Sequence, residues 1–174
     1  MSGENSSLPY RDTKPVGAAD FYFAINATFR FILKRKGIEG LRRYWRDMGA
    51  GYYAPVSRLW QEGGFTAVAR YWRDFFQAEP GAQVEVIEEE AGVRLEVKVC
   101  PAIKHLRDHG REIVPCFCQQ CYFVSEATAE PAGLTVRVKG GNGSCVQRFV
   151  RLGAEVESQR LEDIAEAGQV GAAE

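Results

Sequence analysis

At Glu79-Pro80-Gly81-Ala82 the hydrophobic period of the chain changes, and that change decides the fold class. Before it, apolar residues recur at helical spacing. After it they alternate: Val93, Leu95, Val97 and Val99 against Arg94, Glu96 and Lys98, and later Leu134, Val136 and Val138 against Thr135, Arg137 and Lys139. A period of 3.6 lays side chains along one stripe of a helix, and a period of 2 lays them on one face of a strand. A chain that runs helices first and strands afterwards, without interleaving them, reads as α+β. The expected architecture is a helical N-terminal half, 18–78, packed on a small antiparallel sheet of two hairpins, with two short helices between the hairpins. The chain has 174 residues, enough for one domain with a sizeable core. That domain is placed at 18–152, with a mixed half over 82–152. Residues 1–17 are rich in Ser, Gly, Pro and charge and read as a disordered arm; 153–174 reads as an acidic tail with one frayed helix around Glu155 to Ala165.

Within the helical half, Phe21, Phe23, Ala24, Ala27, Phe31 and Ile32 predict a first helix that ends at Lys36, before Gly37. An internal repeat follows. Gly37-Ile-Glu-Gly-Leu-Arg-Arg-Tyr-Trp-Arg-Asp47 resembles Gly64-Phe-Thr-Ala-Val-Ala-Arg-Tyr-Trp-Arg-Asp74, and each copy reads as a helix. Leu41, Tyr44, Trp45 and Met48 form one face in the first copy; Val68, Tyr71, Trp72 and Phe75 form it in the second. Two amphipathic helices packing aromatics into a core account for the pattern. The sharper reading has Tyr44, Trp45, Tyr71 and Trp72 lining a ligand cavity. Two copies are too few for a solenoid.

The second half concentrates the chemistry. All five cysteines and both histidines fall between Cys100 and Cys145. The second strand of the first hairpin delivers the chain to Cys100-Pro101. Pro at a first helical position predicts a short helix over 101–109 ending at Gly110, which sets His105 and His109 four apart on one face. A second helix is expected to start near Cys116–Cys118 and run to Glu130, putting Cys118 and Cys121 at i and i+3 near its N-terminus. There the helix dipole and free N–H groups lower a thiol pKa. Gly140-Gly141-Asn142-Gly143 reads as a tight turn whose N–H groups, at Gly141 and Asn142, would hold an anion.

Three readings of this cluster stand side by side. In the first, Cys118, Cys121 or Cys145 is a thiolate nucleophile and His105 or His109 its base; no cofactor is required. In the second, Cys118, Cys121 and Cys145 with His105 and His109 supply the N/S ligands of a zinc or iron site. In the third, the cysteines are small core residues and the histidines lie on the surface.

The run from Val97 to Phe149 resembles the L-2-amino-thiazoline-4-carboxylic acid hydrolase family. The resemblance rests on Cys100-Pro101 after a strand, Gly110, Cys118 at a helix start, and a Gly-rich turn carrying Cys145 and leading into Arg148-Phe149. It implies hydrolytic opening of a thiazoline ring. The chain departs from that pattern at Cys121, at Asn142-Gly143 and at Val146, where the family favours Asp, which implies a divergent member with a different small-molecule substrate. The function expected is a cysteine-dependent hydrolase of a C–N bond in a cyclic or amidine-like substrate; the alternative is a Cys/His metal enzyme or a sensor of a metal or small ligand.

Charge narrows the partners. The formal net charge is −1, so no broad basic field points to nucleic acid. No apolar run approaches the roughly 18 residues of a membrane span, and a cytoplasmic small-molecule protein, as monomer or homodimer, is the expectation.

Overall fold

The computed structural model describes residues 18–168. The arm read at 1–17 and the last six residues of the tail lie outside the described residues. The fold is α+β, as the change of period requires. Two long helices, α1 (Phe21–Asp47) and α2 (Ala54–Ala78), make the helical half and are joined by a π-helical turn, Met48–Tyr52. Each long helix is two rods joined at a glycine. Gly37 has φ 66° and ψ −175°, and Gly64 has φ 59° and ψ −148°. Only glycine occupies that region without strain. These are the first residues of the two repeat copies, so the repeat is a structural unit: a glycine break followed by an aromatic rod.

Strands β1 (Gln83–Glu89) and β2 (Gly92–Val99) follow. Next come α3 (Pro101–Asp108), a 3₁₀ turn at Pro115–Cys118, and α4 (Gln119–Ala129). Strands β3 (Leu134–Gly141) and β4 (Ser144–Arg151) form the second hairpin. The two hairpins are not independent. β2 pairs with β4, setting Val93 opposite Phe149 and Val97 opposite Cys145, and one five-stranded sheet results in the order β1-β2-β4-β3-β5.

The fifth strand corrects the expectation for the tail. The segment expected as a helix near 155–165 instead runs without α-helix, through one 3₁₀ turn at Leu161–Asp163. The Gln159 carboxamide accepts from the Val138 N–H at 2.7 Å and donates to its carbonyl at 3.0 Å. β5 (Ile164–Ala165) then pairs in parallel with Gly140 and Gly141. An edge strand offers unpaired backbone groups along its whole length, and pairing with them outweighs the favourable but individually small helix propensities of Glu and Ala. Ile164 and Ala167 are buried by this docking.

The core has two lobes. One gathers Phe29, Leu41 and Trp45 of α1, Ile103 and Leu106 of α3, and Phe117 and Phe123 around the start of α4. The other packs Trp60 and Val68 of α2 on Val93, Leu95, Val136 and Phe149 of the sheet. Cys118 and Tyr122 touch both lobes. Among the described residues, no helix is long and apolar enough to cross a membrane.

Candidate functional site

The start of α4 is held by α1. Phe29 packs on Phe117 with ring centroids 5.4 Å apart, and Trp45 stacks on Phe123 at 6.0 Å and 17°. The buried Asn26 carboxamide ties down the preceding connection: it donates to the Glu112 carbonyl at 2.8 Å and accepts from the Val114 N–H at 3.1 Å. The segment Cys116–Cys121 therefore enters the fold from a fixed position. On the other side, the Cys100 N–H donates to the Gly143 carbonyl at 2.8 Å, which stitches the end of β2 to the β3–β4 turn. The Asn142 N–H in that turn donates to the Cys118 sulfur at 3.3 Å.

Four cysteines lie near one another here. Cys100 caps α3, Cys118 and Cys121 open α4, and Cys145 sits on β4 between Val97 and Gly140. All are free thiols. Charge on Cys145, Cys100 or Cys118 raises the pKa of Cys121, and charge on Cys100 raises those of Cys118 and Cys145. The fifth, Cys116, is buried in the α1–α3–α4 lobe and plays a packing part.

The expected low thiol pKa is not found. Burial pushes Cys118 up to about 11 and Cys145 up to about 12, and raises Cys100 and, well above its ordinary value, Cys121. The pull of the Asn142 N–H and the nearby Arg107 on Cys118 is smaller than the loss of hydration. A charge buried among apolar neighbours loses more than a helix N-terminus returns. At neutral pH the cluster holds protonated thiols.

Residues that carry little sequence signal complete the site. Arg107 donates to the Asn142 side-chain oxygen, and its Nε is buried without a partner. Gln147, 4% exposed, follows Cys145 on the helix-facing side of β4; its Nε2 lies 3.8 Å from the Cys145 sulfur and its Oε1 has no partner. Tyr22 donates to Glu79, and the pair stands near Cys100 and Cys121; burial, then Glu79, drive the Tyr22 pKa upward. Gln147 does leave a trace in the sequence: it is a polar residue at an apolar position of an alternating strand. Tyr22 and Arg107 leave none, because only tertiary packing brings them here.

The histidines do not join the thiols. His105 and His109 do share one face of α3, with rings 4.3 Å apart. That face turns toward α1, where His105 Nε2 meets Asp20 at 3.1 Å and both rings pack on Phe23. The opposite side of α3, with Ile103 and Arg107, faces the β3–β4 turn; two helical residues turn about 200°, which points His105 away from it. The expected ligand set of Cys118, Cys121, Cys145, His105 and His109 is accordingly not assembled. Among the described residues no group of three or more His, Cys, Asp or Glu side chains is placed to hold a metal ion.

The remaining expected contacts divide. Gly141 is taken up by its pairing with Ala165, and Asn142 offers its N–H to a thiol rather than to open solvent. Trp45 is fully buried and Tyr44 lies at the surface. Tyr71 and Trp72 do line a cavity, between α2 and α4. A larger groove of about 620 Å³, between α1 and the segment after α3, is lined by Phe23, Arg30, Phe31 and Arg111 and by no cysteine. No protein-family model, curated protein or solved structure matches this chain.

Proposed function

We propose that the thiol cluster is the reaction centre of a cysteine-dependent hydrolase that opens a C–N bond in a small cyclic or amidine-like molecule. The observation that carries the reading is the setting of Cys118. It opens α4, receives the Asn142 N–H on its sulfur, and stands near a guanidinium whose Nε is unpartnered.

A protonated thiol suits an amidine carbon. The sulfur adds to the carbon of the C=N bond and its proton passes to that nitrogen, so the thiol carries the acid it needs. The adduct passes a proton from that nitrogen to the second nitrogen, or to the ring sulfur in a 2-amino-thiazoline, expels that group as an amine or thiol and leaves a thioimidate on Cys118. Water then adds to the same carbon and expels the sulfur. Its oxygen becomes an amide carbonyl, one proton returns to sulfur and the other goes to the retained nitrogen, so one water is consumed per bond opened. Gln147 Oε1 is free to accept a substrate N–H, and Arg107 to face developing negative charge. His105, paired with Asp20, takes no part in this scheme.

The test is turnover of 2-amino-thiazoline-4-carboxylate and a panel of cyclic amidines by the full chain. Cys118→Ser is expected to lower kcat at least about 100-fold and Cys116→Ser to leave it within a few-fold. Equal loss in both variants, or no ring opening with any substrate in the panel, contradicts the proposal.

A further inference from the structure

The second repeat copy borders a space that the hydrolase reading does not use. A chamber of about 70 Å³ lies between α2 and α4, walled by Tyr53, Trp60, Tyr71, Trp72 and Phe75 on one side and by Val124, Ser125 and Thr128 on the other. No charged side chain lines it. Trp60 is 1% exposed, and its indole N–H and that of Trp72 are buried without an acceptor. Ser125 is buried on α4, one turn beyond Cys121. The Thr128 hydroxyl is already spent on the Val124 carbonyl at 2.8 Å. The wall at Tyr53 comes directly after the π-helical turn, a distortion that recurs at functional sites.

We infer that this chamber is a binding site for a small, flat, uncharged molecule bearing one hydrogen-bond acceptor, held against an aromatic wall and accepting from an indole N–H. Each element of that description comes from the walls. A continuous aromatic wall selects a flat body. The absence of any charged wall selects a neutral one. Buried donors without acceptors select an acceptor, since buried polar groups in native proteins are otherwise almost always paired. A cavity of about 150 Å³ accommodates benzene, so about 70 Å³ takes roughly three or four non-hydrogen atoms. This site is separate in chemistry from the thiol cluster, which carries a cation and an unpaired amide oxygen.

The indole N–H resonances of the ¹⁵N-tryptophan-labelled full chain report on it directly. The probes are acetone and 2-methylpropene, which share a shape and differ in the acceptor. Acetone is expected to move the Trp60 or Trp72 resonance downfield with a saturable curve, to leave Trp45 in place, and to bind at least tenfold more weakly to Ser125→Leu and to Val56→Phe, two independent ways of filling the chamber. 2-Methylpropene is expected to produce no downfield shift. A linear response of all three resonances, an equal response to 2-methylpropene, or acetone binding undiminished in both filled variants overturns the inference. So does bound water on these N–H groups that acetone fails to displace.

Discussion

The two copies of Arg-Tyr-Trp-Arg-Asp begin alike and end in different surroundings. Both start at a glycine of positive φ, and both bury the aliphatic residue four positions on, Leu41 in one and Val68 in the other. After the aspartate they part. The first copy continues into Met48-Gly49 and the second into Phe75-Phe76. At Gly49 the backbone comes so close to α4 that a Cβ there would collide with the Val124 carbonyl. α4 thus closes down on the first copy, and Trp45 is sealed against Phe29 and Phe123. In the second copy Trp72 stacks with Phe76, touches Phe75 and Phe149, and stays half-buried at the edge of the chamber. The residues just after the shared motif decide whether its tryptophan becomes a clamp or a wall. The first copy clamps the helix that carries Cys118 and Cys121; the second frames a cavity.

Truncating the two tryptophans breaks the comparison most sharply. Trp45→Ala removes a sealed side chain and is expected to cost about 3–5 kcal/mol in urea unfolding, and to speed native-state alkylation of Cys118 and Cys121 by loosening the first turn of α4. Trp72→Ala is expected to cost roughly 2 kcal/mol, because the side chain is only half-buried, and to leave thiol alkylation unchanged. Equal costs, or equal effects on the thiols, would remove the distinction.

Gly49→Ala comes next. The added methyl must push α4 away, at a cost of about 1–3 kcal/mol, whereas Gly51→Ala meets nothing within 4 Å and is expected to be near neutral. The smallest difference is expected where the copies agree. Gly37→Ala and Gly64→Ala each force a side chain into a glycine-only conformation with open space around it, and each is expected to cost about 1–2 kcal/mol, alike within error.

Much of this frame is legible in the sequence, because it rests on local periodicity. The alternation at Val93–Val99 and Leu134–Val138, the stop at Gly110 and the glycine breaks of the repeat are signals carried by a few adjacent residues. The joining of the hairpins through β2 and β4 is not local, and neither is β5, which forms because β3 has an open edge. In the site, the clustering of Cys100, Cys118, Cys121 and Cys145 mirrors the grouping of soft residues in the chain. The exclusion of His105 depends on which face of α3 meets α1, and the partnership of Tyr22 with Glu79 spans the helical half. Local structure alone gives the wrong direction for the thiol pKa, since a helix N-terminus is visible in sequence and the depth of burial is not.

The raised thiol pKa carries a sign in pH. The folded-state pKa of Cys118 lies near 11, above its ordinary value of 9.0. The fold therefore keeps the proton that the unfolded chain releases. Its contribution to stability is complete below about pH 9 and is lost as pH rises toward 11, at up to about 1.4 kcal/mol per pH unit for each such thiol. The direct measurement is thiolate absorbance near 240 nm in the folded protein, taken as the difference between the wild type and Cys118→Ser across the pH range. No Cys118 thiolate is expected at neutral pH, and its absorbance is expected to appear only around pH 11. A Cys118 thiolate already present at pH 7 would contradict the buried, protonated cluster, and would return the site to an activated nucleophile of the kind the helix N-terminus alone suggests.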